Sequence, residues 1–205
     1  MTFGELEDRV RRLGHGLREG LGLAPGDRVA VLSKNSVEYV EVYFAAGQRR
    51  LITQPLNWRL GIPELAKIVR DGAPRAVVFS SEFEAEAAEL RRQVDVEHWL
   101  EYGGGERRYE ALVAAASDAA APDRVSDDDP FLILYTGGTT GESKGALHTH
   151  GSATMGMLNQ TVAERIVPSD VYMLTGQLFH IPVLLAMNYL AHGCPLVLMN
   201  FEARL

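Results

Sequence analysis

Tyr135-Thr136-Gly137-Gly138-Thr139-Thr140-Gly141-Glu142-Ser143-Lys144-Gly145 packs four glycines, three threonines and one lysine into one turn-forming segment. The apolar run Phe131-Leu132-Ile133-Leu134 leads into it and reads as a buried strand. Glycines let backbone N–H groups turn towards an anion, threonine hydroxyls add donors, and the lysine supplies a point charge. That is the chemistry needed to hold a polyphosphate. A Gly/Thr-rich surface loop is the competing reading, and the preceding strand and following lysine weigh against it. The segment is not the P-loop of nucleotide hydrolases, which needs Gly-Lys-Ser/Thr running straight into a helix. Here Ser143 precedes the lysine and Gly145 follows it. Ala146 to His150 alternates like a short strand, and a helix becomes plausible only from about Ser152. The expected element is a strand–loop–strand clamp.

Upstream of the loop the chain alternates helices and strands. Thr2 and Glu5 form a capping-box pattern, and Leu6, Val10, Leu13, Leu17 and Leu21 follow at helical spacing. Arg28 to Leu32 reads as a strand, and Asn35 with Glu38 as the start of a second helix bearing Val40, Tyr43 and Phe44. Leu51 to Leu56 is extended, a third helix covers about Pro63 to Arg70 with proline in its first turn, and Ala76 to Phe79 is a buried strand. An acidic helix runs from Glu82 to about Gln93, Val94 to Leu100 is a further strand candidate, and a helix near Tyr109 to Ala116 follows the turn at Gly103-Gly104-Gly105. Residues 117–130, rich in Asp, Ala and Pro, read as a linker between a first part, 1–116, and a second, 131–205. Ile181 to Met199 has no charged side chain but is interrupted by Pro182, Asn188, His192, Gly193 and Pro195. It reads as a buried helix ending near His192 and then a strand, not as a membrane span. Such alternation predicts an α/β fold, a mainly parallel sheet with helices on both faces. The loop then begins just past the carboxyl end of a strand, where such sheets place ligands.

Composition agrees. The 205 residues include 46% hydrophobic and 23% charged side chains, the proportions of an ordinary globular protein. A net charge of −7 argues against a nucleic-acid partner, which needs a basic face. The single cysteine, Cys194, excludes a disulfide framework and a cysteine-rich metal site, and its apolar setting marks it as a buried inert thiol. Glu5, Glu7 and Asp8 stand where a secretory signal would be basic then apolar, so a cytoplasmic location is expected, with peripheral membrane contact left open.

The loop resembles the phosphate-loop signature of the adenylate-forming (AMP-binding) enzymes: acyl-CoA synthetases, amino-acid adenylation domains and luciferases. Their pattern runs Tyr/Phe-Thr-Ser/Gly-Gly-Thr-Thr-Gly-x-Pro-Lys-Gly, followed by a Thr-His pair matched by Thr149-His150. Gly137 takes a position where serine is usual and Ser143 one where proline is usual. Thr2 to Leu6 resembles the family's opening Thr-Tyr-x-Glu-Leu, and Gly26 to Val31 its first core strand. Pro55-Leu56-Asn57-Trp58-Arg59-Leu60 is similar to the Pro-Leu-Asn-x-Arg-Leu segment of acyl- and aryl-CoA synthetases. Amino-acid adenylation domains more often carry aspartate where Asn57 stands, so the CoA ligase branch is favoured. Gln177-Leu178-Phe179-His180 resembles a Pro-Leu-Phe-His motif at the carboxylate pocket, with Gln177 in place of proline and Val183 where glycine is common.

The resemblance implies part of the large N-terminal domain of such an enzyme and a two-step reaction. A carboxylate attacks the α-phosphate of Mg-ATP, giving an acyl-adenylate and pyrophosphate; the thiol of CoA then displaces AMP. Thr136, Gly137, Gly138, Thr139, Thr140, Gly141 and Lys144 would bind the phosphates, and His180 with Phe179 would line or gate the acid pocket. The family's adenine and ribose motifs, magnesium-binding glutamate and C-terminal lysine domain would lie beyond Leu205, so this chain is expected to be a fragment with no assigned catalytic residue and no metal site of its own. A non-catalytic nucleotide- or acyl-binding module and an amino-acid adenylation fragment are the alternatives. His148 and His150 stand two apart on the expected strand but lack a third ligand nearby, so a structural role is favoured. Asp127-Asp128-Asp129 reads as solvated linker, and Trp58 and Trp99 as core or groove aromatics.

Overall fold

Val29 and Val31 point to one side of a strand and Ala30 and Leu32 to the other, and all four are fully buried. A strand buried on both faces needs a layer of helices on each. The computed structural model describes residues 1–105, 108–116, 121–136 and 143–200. In it, β1 (Arg28–Leu32), β2 (Ile52–Pro55), β3 (Ala76–Ser80), β4 (His98–Tyr102), β5 (Pro130–Thr136) and β6 (Lys144–Thr149) form one sheet in the order β4-β3-β1-β2-β5-β6. The first five strands are mutually parallel and β6 runs antiparallel to β5. On one face α1 (Phe3–His15), α2 (Val37–Gln48) and α5 (Arg108–Ala115) pack on Val29, Val31, Val78 and Leu132. On the other, α3 (Ile62–Gly72) and α4 (Glu84–Arg91) pack on Ala30, Leu32, Val77 and Phe79. After β6 come α6 (His150–Glu164) and α7 (Pro182–Ala191), with a two-stranded parallel sheet of β7 (Tyr172–Leu174) and β8 (Leu196–Leu198). This is the expected α/β architecture with helices on both faces.

Two glycines set how closely helices approach the sheet. A Cβ on Gly47 in α2 would lie 3.0 Å from the Phe131 ring on β5, and one on Gly72 at the end of α3 would lie 2.2 Å from Gln54 Nε2 on β2. The Gln54 amide donates to Ile68 O at 2.9 Å, so α3 is bonded to the strand beneath it.

Local readings hold with four corrections. The Thr2–Glu5 capping box forms, and α1 continues as a π turn through Gly16–Gly20. Asn35 is not the cap of α2: Ser36 is, its hydroxyl accepting from Tyr39 N. β4 starts at His98, not Val94, because the Val94 amide still bonds to Leu90 O and closes the turn after α4. α6 starts at His150, two residues earlier than expected, because Thr149 caps it in a box with Ser152. His148 and His150 are therefore not on one strand. Of the three aspartates, Asp127 and Asp128 are exposed, but Asp129 pairs with Arg50 at 3.0 Å. Asp123 likewise takes Arg18 at 2.9 Å and Arg49 at 3.2 Å, so residues 121–129 are strapped across the end of α2 before β5 joins the sheet beside β2. Cys194 is buried, its thiol donating to Val167 O. Among the described residues no helix is long and apolar enough to cross a membrane.

Candidate phosphate and acid site

Because β1 to β5 are parallel, the segments that follow them gather along one edge of the sheet. Lys34-Asn35 follows β1, Asn57 to Leu60 follows β2, Ser81-Glu82 follows β3, and Thr136 ends β5. The glycine-rich loop therefore springs from the carboxyl edge, beside the turn after β2.

β5 and β6 form the two arms of the clamp. Their antiparallel register sets Thr136 opposite Lys144, so the arms bring the two ends of the loop together, and both side chains are exposed. Gly137, Gly138, Thr139, Thr140 and Gly141 lie outside the described residues. The arms are held from below by Tyr135. Its ring crosses its register partner Gly145, where a Cβ would sit 3.1 Å from the ring and 2.8 Å from Ile133 Cγ2. Its hydroxyl donates to Asp71 Oδ2 at 2.5 Å. Burial, then the Asp71 carboxylate, raises the Tyr135 pKa, so the phenol stays a donor. Gly145, read as part of the signature, thus has a packing reason of its own.

The second half of the edge joins two motifs distant in sequence. The Asn57 side chain accepts from Arg59 N at 3.1 Å, a local turn of the kind asparagine favours. It places the Arg59 guanidinium 5.0 Å from the centre of the Trp58 ring and 5.9 Å from that of Phe179. Trp58 Nε1 donates to Gln177 Oε1 at 3.2 Å. Lys34 Nζ lies 5.7 Å from the centre of the same indole and pairs with Glu82 at 2.8 Å. The structure thus brings Phe179 to Arg59. His180 is exposed beside it, its Nδ1 accepting from Ile181 N, which leaves Nε2 to carry the proton of the neutral ring.

Asn35 is what sequence reasoning missed. It is 5% exposed, donates from Nδ2 to Gly176 O at 2.7 Å and Met199 O at 2.9 Å, and accepts from Leu178 N at 2.8 Å. Tyr43 OH adds a bond to Leu178 O at 2.8 Å. These contacts pin the Gln177 to His180 segment to the end of β1. A signal was present: Asn35 and Ser36 are adjacent cap-type residues, and one helix uses only one N-cap. Near them Tyr102, its pKa pushed up to about 12 by burial, bonds to the hydroxyls of Ser33 and Ser36 and closes the wall between β1 and β4.

His150 belongs to a different place. Its ring packs 4.8 Å from Phe131 at the amino end of β5, and its Nε2 is buried without a partner among the described residues. Burial lowers its pKa despite the nearby Asp129 and Asp127. It walls an apolar cleft of about 520 Å³ lined by Phe3, Val10, Phe44, Phe131 and Met157, at the edge of the sheet away from the glycine loop. Among the described residues no group of three His, Cys, Asp or Glu side chains could hold a metal ion.

Comparison with known proteins agrees with this layout. The family model described as AMP-binding enzyme matches residues 1–205. A feruloyl-CoA synthase from Amycolatopsis sp is 36% identical over 181 residues, covering 88% of this chain and 34% of that protein. The long-chain-fatty-acid–CoA ligase FadD13 of Mycobacterium tuberculosis is 32% identical over 209 residues, covering 99% and 41%. The crystal structure of the N-terminal domain of FACL13 from Mycobacterium tuberculosis superposes with a TM-score of 0.89 at 25% identity, over 99% of this chain and 51% of that one. The chain thus spans between 34% and 51% of the length of these relatives. From the match along its whole length and the clamp at the carboxyl edge, the chain belongs to the AMP-binding enzyme family.

Proposed function

We propose that the chain forms the phosphate-holding and acid-entry part of an ATP-dependent acyl-CoA ligase. The full protein would join a carboxylic acid to CoA through an acyl-adenylate. The observation that carries this reading is the β5–β6 clamp, with Lys144 set opposite Thr136 at the two ends of the glycine loop. Thr136, Gly137, Gly138, Thr139, Thr140, Gly141 and Lys144 would hold the β- and γ-phosphates while pyrophosphate leaves, a task of positioning and charge neutralisation. Phe179 and His180 would line the acid entrance. The Mg2+ that accompanies ATP is assigned no ligand among the described residues. The relatives' names point to aryl acids in one case and long-chain fatty acids in the other.

The test is acid-dependent exchange of labelled pyrophosphate into ATP by the full-length protein, with ferulate and fatty acids of graded length as substrates. Exchange with at least one acid is expected, and Lys144→Ala should slow it about tenfold or more, as for loss of one charged transition-state contact. No exchange with any acid, or an unchanged rate in Lys144→Ala, overturns the assignment.

A further inference from the structure

Arg59 is held in place without being used up. A guanidinium stacked on aromatic rings engages them with its face and keeps its edge N–H donors free. Among the described residues no carboxylate or carbonyl accepts from the Arg59 side chain; its contacts are the Trp58 and Phe179 rings. Arg91 at the end of α4 is stacked likewise, on Phe79 and Trp99, so what sets Arg59 apart is its place at the carboxyl edge; six other arginines differ. Arg9, Arg12, Arg18, Arg49, Arg50 and Arg75 are each paired with carboxylates. Arg59 is also exposed at the carboxyl edge, on the turn after β2, next to the strand that opens the glycine loop.

The indole packs on Phe83, ring centres 6.0 Å apart, and is tied by one hydrogen bond between segments 119 residues apart, from Trp58 Nε1 to Gln177 Oε1. Proline, the residue usual at position 177 in the resembling motif, has no side-chain acceptor to make it. Without the bond the indole keeps its packing on Phe83 but loses the tie that sets its edge, and any tilt carries the guanidinium with it. Lys34 stands over the same ring but is paired with Glu82 at 2.8 Å, so of the two cations at the indole Arg59 is the one with no carboxylate partner among the described residues. A guanidinium whose planar fork of N–H donors is unengaged matches the oxygens of a phosphate.

We propose that Gln177 is a positioning residue that, through Trp58, presents Arg59 to a phosphate group of a co-substrate. The proposal rests on the ligase reading for its co-substrates. A phosphate at this edge could come from ATP and the pyrophosphate it releases, or from CoA.

Isothermal calorimetry on the full-length protein separates these sources, with pyrophosphate, ATP and CoA titrated separately. Arg59→Gln should weaken at least one probe about tenfold, as for loss of a charge-assisted contact. Weakening of pyrophosphate and ATP together assigns the group to the nucleotide; weakening of CoA alone assigns it to the thiol co-substrate. Gln177→Ala and Trp58→Phe should each weaken the same probe severalfold, and the double variant should be no weaker than either single, because both remove one bond. Wild-type affinity of Arg59→Gln for all three probes, or full additivity in the double variant, overturns the proposal. Arg59 is exposed, and a thermal melt matching wild type excludes misfolding as the cause of any loss. Acid-dependent exchange with unchanged probe binding in Arg59→Gln leaves the ligase reading standing and removes this one. Arg59-dependent phosphate binding without exchange for any acid does the reverse.

Discussion

Removing Arg9 should cost far more than removing the acid that looks equally well paired with it. Arg9 bridges two carboxylates, meeting Glu41 from Nε at 2.6 Å and Glu110 at 2.7 Å. The two acids differ in setting. The Glu41 side chain is 0% exposed and also accepts from Tyr109 OH at 2.5 Å, whereas that of Glu110 is 42% exposed. Arg9→Met leaves a carboxylate sealed under α1, α2 and α5 whose one remaining side-chain partner among the described residues is the Tyr109 phenol. Breaking a buried pair from one side costs about 3–5 kcal/mol. Glu110→Gln removes an exposed partner and should cost under about 1 kcal/mol. At about 2–4 °C per kcal/mol for a domain of this size, Arg9→Met should melt roughly 6–20 °C lower and Glu110→Gln within about 4 °C of wild type. The combination Arg9→Met, Glu41→Leu, Tyr109→Phe replaces the whole polar group by apolar side chains and should recover most of the loss. Far-UV circular dichroism melts of the four proteins decide the matter. Equal losses in Arg9→Met and Glu110→Gln, or a triple variant no better than Arg9→Met, would refute the claim that the cost lies in an uncompensated buried charge.

Three further outcomes follow from single contacts. Asn35→Ala orphans the Leu178 amide and two carbonyls, each worth about 1–3 kcal/mol if left unsatisfied, and should loosen the 176–180 segment, raising KM for the acid more than it changes the affinity for pyrophosphate. Gly72→Ala drives a methyl into the fully buried Gln54 amide and should cost about 1–3 kcal/mol in a denaturant titration, with Gln54→Ala restoring part of it. The folded-state pKa of His150 lies below the unfolded value of about 6.5, so the unfolded chain binds more protons and stability is lost as pH falls from 6.5 through the folded value. His150→Phe should keep the stack on Phe131 and flatten that part of the stability profile; an unchanged slope between pH 7 and 5 would show that another group carries it.

The centre of the sheet was readable because strands such as β1 and β3 are buried on both faces. Val29 to Leu32 and Ala76 to Phe79 are unbroken apolar runs, and such runs have no other home in a chain that alternates them with amphipathic helices. Where burial was one-sided or local bonding decided the outcome, the sequence was weaker. Val94 and Val96 look like strand residues, but the amide of Val94 is committed to the preceding helix. His150 looks like the end of an alternating strand, but the Thr149 hydroxyl turns the chain into a helix one residue before it. Hydrogen-bond competition of this kind operates over three or four residues and leaves no periodic trace.

The site shows the same division more sharply. Its glycine loop and the two short motifs could each be recognised in one dimension, since their residue types are fixed by local chemistry. That Trp58 meets Gln177, and that Asn35 ties down residues 176, 178 and 199, could not. Those bonds depend on parallel strands delivering their carboxyl ends to one edge, and the Asn35 contacts span more than 140 residues. The consequence is that substitutions in the 176–180 segment cannot be judged by that segment alone. Gln177 bonds to the ring that carries Arg59. A residue at position 177 therefore changes two motifs at once, which is how a departure from the family pattern at one site can alter recognition at another.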